Sequence, residues 1–266
     1  GREMKLKIGK IAYANLFPIF FTLENEFDCS RYEFVPGVPS ALNAKIRAGE
    51  VDISPSSSIE YLRNGDRYFF IDNHSISSKG PVRSILLFSK RPIGDLNGLT
   101  VLMSSQSETS VALLQIVLKK FCGLECQFRP ASEPMAQAMQ SNEAYLLIGD
   151  DALAQERQWP KLHIYDLGDL WYRHTGLPFT FALWIVRRGC CAEEPDLFER
   201  FRRDLDAAKA LALRTLGRVA AASPLRGLLS EEELIAYWRG ISFDFNEEHR
   251  RGFDLFRRYA VELGLL

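Results

Sequence analysis

At 266 residues, 47% hydrophobic and 12% aromatic, the chain is long enough to bury a sizeable core and to divide it between two domains. Its 33 basic and 34 acidic side chains leave a formal charge of −1, which excludes a global field for nucleic acid or an anionic membrane; local basic clusters in the carboxyl-terminal third read as solvated helix faces. The five cysteines, Cys29, Cys122, Cys126, Cys190 and Cys191, form no C-x-x-C pair and have no histidine at zinc-ligand spacing, so they read as reduced, packed thiols.

Gly1-Arg2-Glu3 reads as an appended stretch before Met4, and the residues after it have a strand pattern rather than the apolar core of a signal peptide. Every apolar run is broken by charge or proline before it reaches bilayer-spanning length, no lipid anchor is suggested, and the expected compartment is the cytoplasm.

Strands and helices then alternate: strand Leu6 to Ala12, helix Leu16 to Glu24, strand Tyr32 to Val35, helix Ser40 to Ala48, strand Val51 to Ser54, helix Ser58 to Asn64. Strand-like runs Tyr68 to Ile71 and Arg83 to Phe88 follow. This order predicts a mainly parallel sheet with helices on its faces, and Gly49 sits where a helix carboxyl terminus needs it. Lys90 to Gly98, with Pro92 and two glycines, interrupts the pattern and reads as a crossing into a second lobe.

In that lobe the predicted elements are strand Thr100 to Met103, helix Glu108 to Phe121, strand Cys126 to Arg129, helix Glu133 to Gln140, strand Tyr145 to Ile148, helix Asp150 to Gln158 and strand Leu162 to Tyr165. After a helical stretch and the turn Thr175-Gly176-Leu177-Pro178, the apolar run Phe179 to Val186 fits a return strand. Helical spacing over Asp196 to Ala221, Ser230 to Arg239 and Asn246 to Leu263, with the stripe Phe198, Phe201, Leu205 and Ala208, predicts helices that cover the first lobe. The predicted architecture is α/β and two-lobed: residues 4–90 plus 182–266 form lobe 1, and 91–181 form lobe 2. With a ligand cleft between the lobes and a carboxyl-terminal helical cap, it is the plan of a type II periplasmic-binding-protein-like fold.

The chemistry concentrates at three strand ends. Val51-Asp52-Ile53-Ser54-Pro55-Ser56-Ser57-Ser58 runs from a buried strand into serines that open a helix, where unpaired N–H groups and the macrodipole suit a carboxylate. Val101-Leu102-Met103-Ser104-Ser105-Gln106-Ser107-Glu108-Thr109-Ser110 repeats the order, and Ile11-Ala12-Tyr13-Ala14-Asn15 is the third. A lone junction of this kind is more often a plain N-cap with solvated neighbours, but repetition at several strand ends is what an α/β ligand site requires.

No P-loop, G-x-G-x-x-G, H-E-x-x-H, G-x-S-x-G or EF-hand pattern is present. The histidines, His74, His163, His174 and His249, are scattered and read as structural, His74 being the exception beside Ser75-Ile76-Ser77-Ser78. Asn15 and Ser84 are polar in apolar surroundings; either satisfies local backbone groups or, facing a ligand, offers the donor and acceptor that a dehydration needs.

Several pieces together resemble the chorismate dehydratases of the futalosine route to menaquinone: Ile11 to Pro18, Pro39-Ser40-Ala41-Leu42-Asn43, Gly49 to Tyr61, Ser75 to Ser84 with its Gly80-Pro81-Val82-Arg83-Ser84, Ser105-Gln106-Ser107-Glu108-Thr109-Ser110, Leu147-Ile148-Gly149-Asp150-Asp151 and Thr175-Gly176-Leu177-Pro178-Phe179. The resemblance spans Met4 to Arg187 and is weak in the carboxyl-terminal helices. It implies a hydro-lyase that removes water from chorismate to give 3-[(1-carboxyvinyl)oxy]benzoate, with catalytic Asn15 and Ser84 and no metal or organic cofactor. Chorismate is a small dianion, so the implied substrate-binding groups are Ser56 and Ser57 at one corner, Ser105, Gln106, Ser107 and Thr109 at another, and Gly149 and Asp150. The sequence identifies no general base, and the substrate's own enolpyruvyl carboxylate is one candidate for that role.

Rival readings remain: a non-catalytic carboxylate-binding protein, since this architecture often only captures solutes, and the related dihydroxynaphthoate synthase of the same pathway. A ligand-sensing regulator is disfavoured by the lack of an amino-terminal helix-turn-helix and of excess basic charge.

Overall fold

The computed structural model describes residues 4–103 and 107–266. The chain divides into two compact units, one made of residues up to Ile76 with Ala182–Arg239 and Phe243–Phe245, the other of Ser77–Phe181, Gly240–Ser242 and Asn246–Leu266.

In chain order the first unit contains β1 (Leu6–Lys10), a 3₁₀ turn (Ala14–Leu16), α1 (Phe17–Glu26), β2 (Tyr32–Pro36), α2 (Pro39–Arg47), β3 (Ile53–Ser57), α3 (Ser58–Asn64) and β4 (Tyr68–Ser78), in which the division falls. Pro18 and Pro39 occupy the first turns of α1 and α2, where a missing N–H costs no helical hydrogen bond. The second unit continues with β5 (Ile85–Ser89), β6 (Thr100–Met103), α4 (Glu108–Ile116) extended by a π-helical turn (Val117–Phe121), β7 (Gln127–Pro130), α5 (Met135–Ala138), β8 (Ala144–Ile148), α6 (Gly149–Gln155), β9 (His163–Asp166) and α7 (Leu167–Thr175). The return strand β10 (Phe179–Arg187) leads into α8 (Arg188–Glu193), α9 (Pro195–Arg214), α10 (Leu216–Ala222) and α11 (Glu231–Arg239) of the first unit. The final helix, α12 (Glu247–Glu262), belongs to the second.

Each unit has a five-stranded sheet, in the orders β2-β1-β3-β10-β4 and β7-β6-β8-β5-β9. Both are mixed. β1 runs parallel to β2 and β3, and β6 parallel to β7 and β8, through the helical crossovers such pairs need. β10 is antiparallel to β3, and β5 is antiparallel to both β8 and β9. Aromatic packing organises the first core, with Phe20 5.6 Å from Trp184 and Trp184 5.9 Å from Phe201, ring centre to ring centre. Leu86, Phe88, Leu102, Met135 and Leu147 lie in one core cluster of the second.

The structure departs from the expected layout at specific residues. Ser77 to Lys90 and α12 lie with the second unit, because β5 takes its pairing from β8 and β9, and α12 packs on α4. The Pro- and Gly-rich stretch after Lys90 is therefore a loop inside that unit, with a 3₁₀ turn at Ile93–Asp95. The predicted helix over 196–221 breaks at Thr215, and its buried stripe opens with Leu197 rather than Phe198. The helix expected from Glu133 shrinks to α5, since Pro134 stands before it in an extended conformation. Cys29, Cys122, Cys126, Cys190 and Cys191 are all free thiols, and burial pushes the Cys190 thiol up to about 12.

The close approach of β1 to β3 depends on Gly9, where an added Cβ would lie 2.2 Å from Ser54 Oγ and 2.8 Å from Ser54 Cβ. Gly9→Ala is expected to lower stability by about 1–3 kcal/mol, read as a lower urea midpoint at unchanged slope.

A second prediction concerns His74, which is buried with Nε2 2.6 Å from Asp206 Oδ1. Burial holds its pKa below the ordinary value despite the carboxylate. The unfolded chain therefore binds a proton that the folded chain refuses, so this contribution is present above the unfolded pKa and is lost as pH falls through the folded one. The urea midpoint should fall between about pH 7.5 and pH 5.5, and less steeply in His74→Gln.

Candidate functional site

Because β1 and β3 are parallel, their carboxyl ends share one edge of the first sheet. Beyond β1 the 3₁₀ turn carries Asn15, and Trp238 Nε1 pins that turn by donating to the Ala14 carbonyl at 2.7 Å. Among the described residues, Asn15 Oδ1 is buried and has no hydrogen-bond partner.

β3 presents its serines at the same edge. The strand runs through Ser57, is buried along its whole length, and leads into a seven-residue α3 that Ser57 does not cap with its side chain. Ser58 opens α3 as expected, but the strand runs past its expected end at Ser54 to take in Ser56 and Ser57, because β3 is an interior strand between β1 and β10 and sheet pairing outweighs the local preference of serine for caps. Ser54 Oγ donates to the Pro55 carbonyl at 3.1 Å, whereas Ser56 Oγ is buried without a partner among the described residues. Ser57 Oγ accepts from Asn43 Nδ2 at 2.7 Å.

Asn43, on α2, is wholly buried, and its Oδ1 is also unpartnered. In the sequence Asn43 closes the Pro39-Ser40-Ala41-Leu42-Asn43 piece, which gives it no role of its own. The available signal was an amide set between Leu42 and Ile46 on the buried face of the helix. A buried polar atom without a partner costs on the order of 1–3 kcal/mol. Asn15, Asn43 and Ser56 each keep one such atom, so this corner is built from amides and hydroxyls rather than from a helix terminus.

In the second unit β5 opposes β8 with Ile85 paired to Ile148, which puts Ser84 beside Gly149 and Asp150 at the carboxyl end of β8. The Gly149 N–H donates to the Ser84 carbonyl at 2.7 Å, and Gly149 has φ 64°, a backbone state that suits glycine. Ser84 is 5% exposed, and its hydroxyl lies 3.5 Å from the Val82 carbonyl, too long for a strong bond. β6 is parallel to β8, so α4 starts from the same edge. There Ser107 is the N-cap, accepting from the Ser110 N–H at 3.2 Å and donating to Ser110 Oγ at 2.9 Å, and Thr109 is buried in the first turn. Ser105 and Gln106 lie outside the described residues.

The structure therefore gathers Asn15, Ser56 and Ser57 at one sheet edge with Asn43, and Ser84, Gly149, Asp150, Ser107 and Thr109 at the corresponding edge of the other sheet. Among the described residues, no cluster of histidine, cysteine or carboxylate side chains has the makings of a metal site. No helix among them is long and apolar enough to cross a membrane.

The menaquinone-biosynthesis family model matches residues 6–262. The chain belongs to that family. Among curated proteins, members similar to this one include a chorismate dehydratase of Thermus thermophilus, 32% identical over 199 residues that cover 68% of this chain and 69% of that protein. Another is a chorismate dehydratase of Campylobacter jejuni, 26% identical over 206 residues, covering 76% and 74%. Among solved structures, a crystal structure of an Archaeoglobus fulgidus protein matches with a TM-score of 0.81 at 18% identity over the whole of both chains. The alkanesulfonate-binding protein SsuA of Xanthomonas axonopodis matches with a TM-score of 0.68 at 16% identity, covering 100% of this chain and 95% of that one. The fold of this family member is thus the type II periplasmic-binding-protein fold, with carboxyl-terminal helices present.

The orphan hydroxyl of Ser56 separates function from stability. Ser56→Ala is expected to leave the urea midpoint unchanged or raise it, by up to about 1 kcal/mol of stability, since no intramolecular hydrogen bond is lost. Ser57→Ala, which strips Asn43 Nδ2 of its acceptor, is expected to cost about 1–3 kcal/mol by the same measurement.

Proposed function

We propose that this family member is a cytoplasmic hydro-lyase that converts chorismate to 3-[(1-carboxyvinyl)oxy]benzoate in menaquinone biosynthesis. Two of its curated relatives bear the name chorismate dehydratase. The structural observation that carries the reading is the set of buried, unpartnered polar atoms Asn15 Oδ1, Asn43 Oδ1 and Ser56 Oγ. An oxygen-rich small molecule with hydroxyl and carboxylate groups satisfies such atoms, whereas an apolar ligand leaves them dry.

The chemistry asks little of the protein beyond orientation. Loss of a ring proton and a ring hydroxyl as water leaves an aromatic ring, so the driving force lies in the substrate. In this proposal Asn15 holds the departing C4 hydroxyl, Ser84 orients the reacting carbons and feeds a proton to the leaving oxygen, and the enolpyruvyl carboxylate removes the C3 proton. Ser56 and Ser57, with Asn43 behind them, take one substrate carboxylate. Ser105, Gln106, Ser107 and Thr109 take the other beside Gly149 and Asp150, the Gly149 N–H being committed to the Ser84 carbonyl.

Incubation of the purified protein with chorismate, followed by chromatography with mass detection, should show loss of one water. Asn15→Ala and Ser84→Ala should each lower kcat by about 10²-fold or more while remaining folded. Normal turnover by both variants would remove these residues from the reaction. Unchanged chorismate that still raises the melting temperature would make the protein a binding module instead.

A further inference from the structure

The segment leading into Ser84 is held by a side chain that lies far from it in sequence. Asp166, at the end of β9, accepts from the Val82 N–H through both carboxylate oxygens at 3.1 Å and from the Arg83 N–H at 2.7 Å. The same carboxylate caps α7 by accepting from the Asp169 N–H at 3.1 Å. Arg83 has φ 66°, the left-handed region, which costs a non-glycine residue about 1 kcal/mol or more and persists only where surroundings impose it.

The loop is also seated on the first turn of α7. A Cβ on Gly168 would lie 2.7 Å from the Gly80 carbonyl oxygen and 2.7 Å from Ser78 Oγ, so glycine permits that approach. On the far side of Ser84, its own carbonyl is fixed by the Gly149 N–H. Ser84 is thus bracketed by two backbone anchors, one of them made through a carboxylate, while among the described residues its hydroxyl makes only the weak contact to Val82.

We infer that Asp166 is a positioning residue for the reaction, imposing the left-handed turn at Arg83 that aims the Ser84 hydroxyl. This assignment rests on the proposed role of Ser84. Asp166 acts through the backbone and touches no reacting atom. Oδ1 is shared between the α7 cap and the Val82 N–H, while Oδ2 holds the Val82 and Arg83 N–H groups, so the cap needs one acceptor and the turn needs both.

Asp166→Ser tests the division, because a serine hydroxyl still caps α7 but cannot also span the two loop amides. Expected are a kcat for chorismate about 10- to 100-fold lower, a KM changed less than about threefold, and faster amide exchange at Val82 and Arg83. In the Ser84→Ala background the same substitution should change kcat by less than about twofold, since the group it aims is already gone.

An Asp166→Ser enzyme with normal kcat, or one that loses the same factor with and without Ser84, would overturn the assignment while leaving the dehydratase reading intact. Normal turnover by Ser84→Ala alone, or none by the unaltered protein, would sink the reading and this assignment together.

Discussion

The register of β1 against β3 is the constraint on which the first unit's polar corner depends. The two strands lie so close at Gly9 and Ser54 that no side chain fits on Gly9, and that proximity carries β3 into the interior of the sheet, with β10 on its other side. An interior strand buries whatever it carries, and β3 carries serines. Their hydroxyls must then be satisfied by neighbours or left for a ligand. The structure does both: Ser54 bonds to its own chain, Ser57 is matched by Asn43, and Ser56 is left open.

A buried carboxylate keeps the frame around that corner stiff. Glu60 is 1% exposed and accepts from Arg47 at 2.7 Å, Asn64 at 2.7 Å and Tyr68 at 2.8 Å. It therefore joins α2, which bears Asn43, to α3, which follows the serines, and to β4. Desolvation of the carboxylate is offset only because every one of these donors is in place. The hydrogen bonds satisfied around Glu60 and those left open at Ser56 and Asn43 contrast: the first fix the scaffold, and the second are the ones the proposed function assigns to a substrate.

Much of this was legible in the chain, and the failures share a cause. Alternating periods located the strand Thr100–Met103 and the helix Ser58–Asn64 to the residue, because local propensity and burial agree there. The continuation of β3 through Ser56 and Ser57 leaves no mark in the sequence, since serine's local preference favours a cap and only the neighbouring strands overrule it. Asn43 was passed over because an amide on an apolar helix face looks like an ordinary polar interruption until its partner, Ser57, is seen. The second unit claims Ser77 to Lys90 because β5 pairs with strands much later in the chain, and pairing partners leave no periodicity in the strand that seeks them. Asp166 was invisible for the same reason, its loop partners being 83 and 84 residues away.

The two units solve the problem of holding a reactive polar group differently. In the first, side-chain polar atoms lack partners among the described residues, so stability is sacrificed at the corner where the proposed function places a substrate carboxylate. In the second, the side chain of Ser84 is barely engaged but its backbone is fixed from both directions, so the stored strain sits in the left-handed turn at Arg83 rather than in an unsatisfied hydroxyl. A group that must be oriented for a proton transfer gains more from a rigid backbone than from a hydrogen bond that has to be broken before it reacts. A group that must grip a carboxylate gains more from being left dry. The division of labour between an unsatisfied corner and a clamped serine follows from what the proposed reaction asks of each group, and it accounts for why the Asp166 carboxylate is spent on the Val82 and Arg83 backbone.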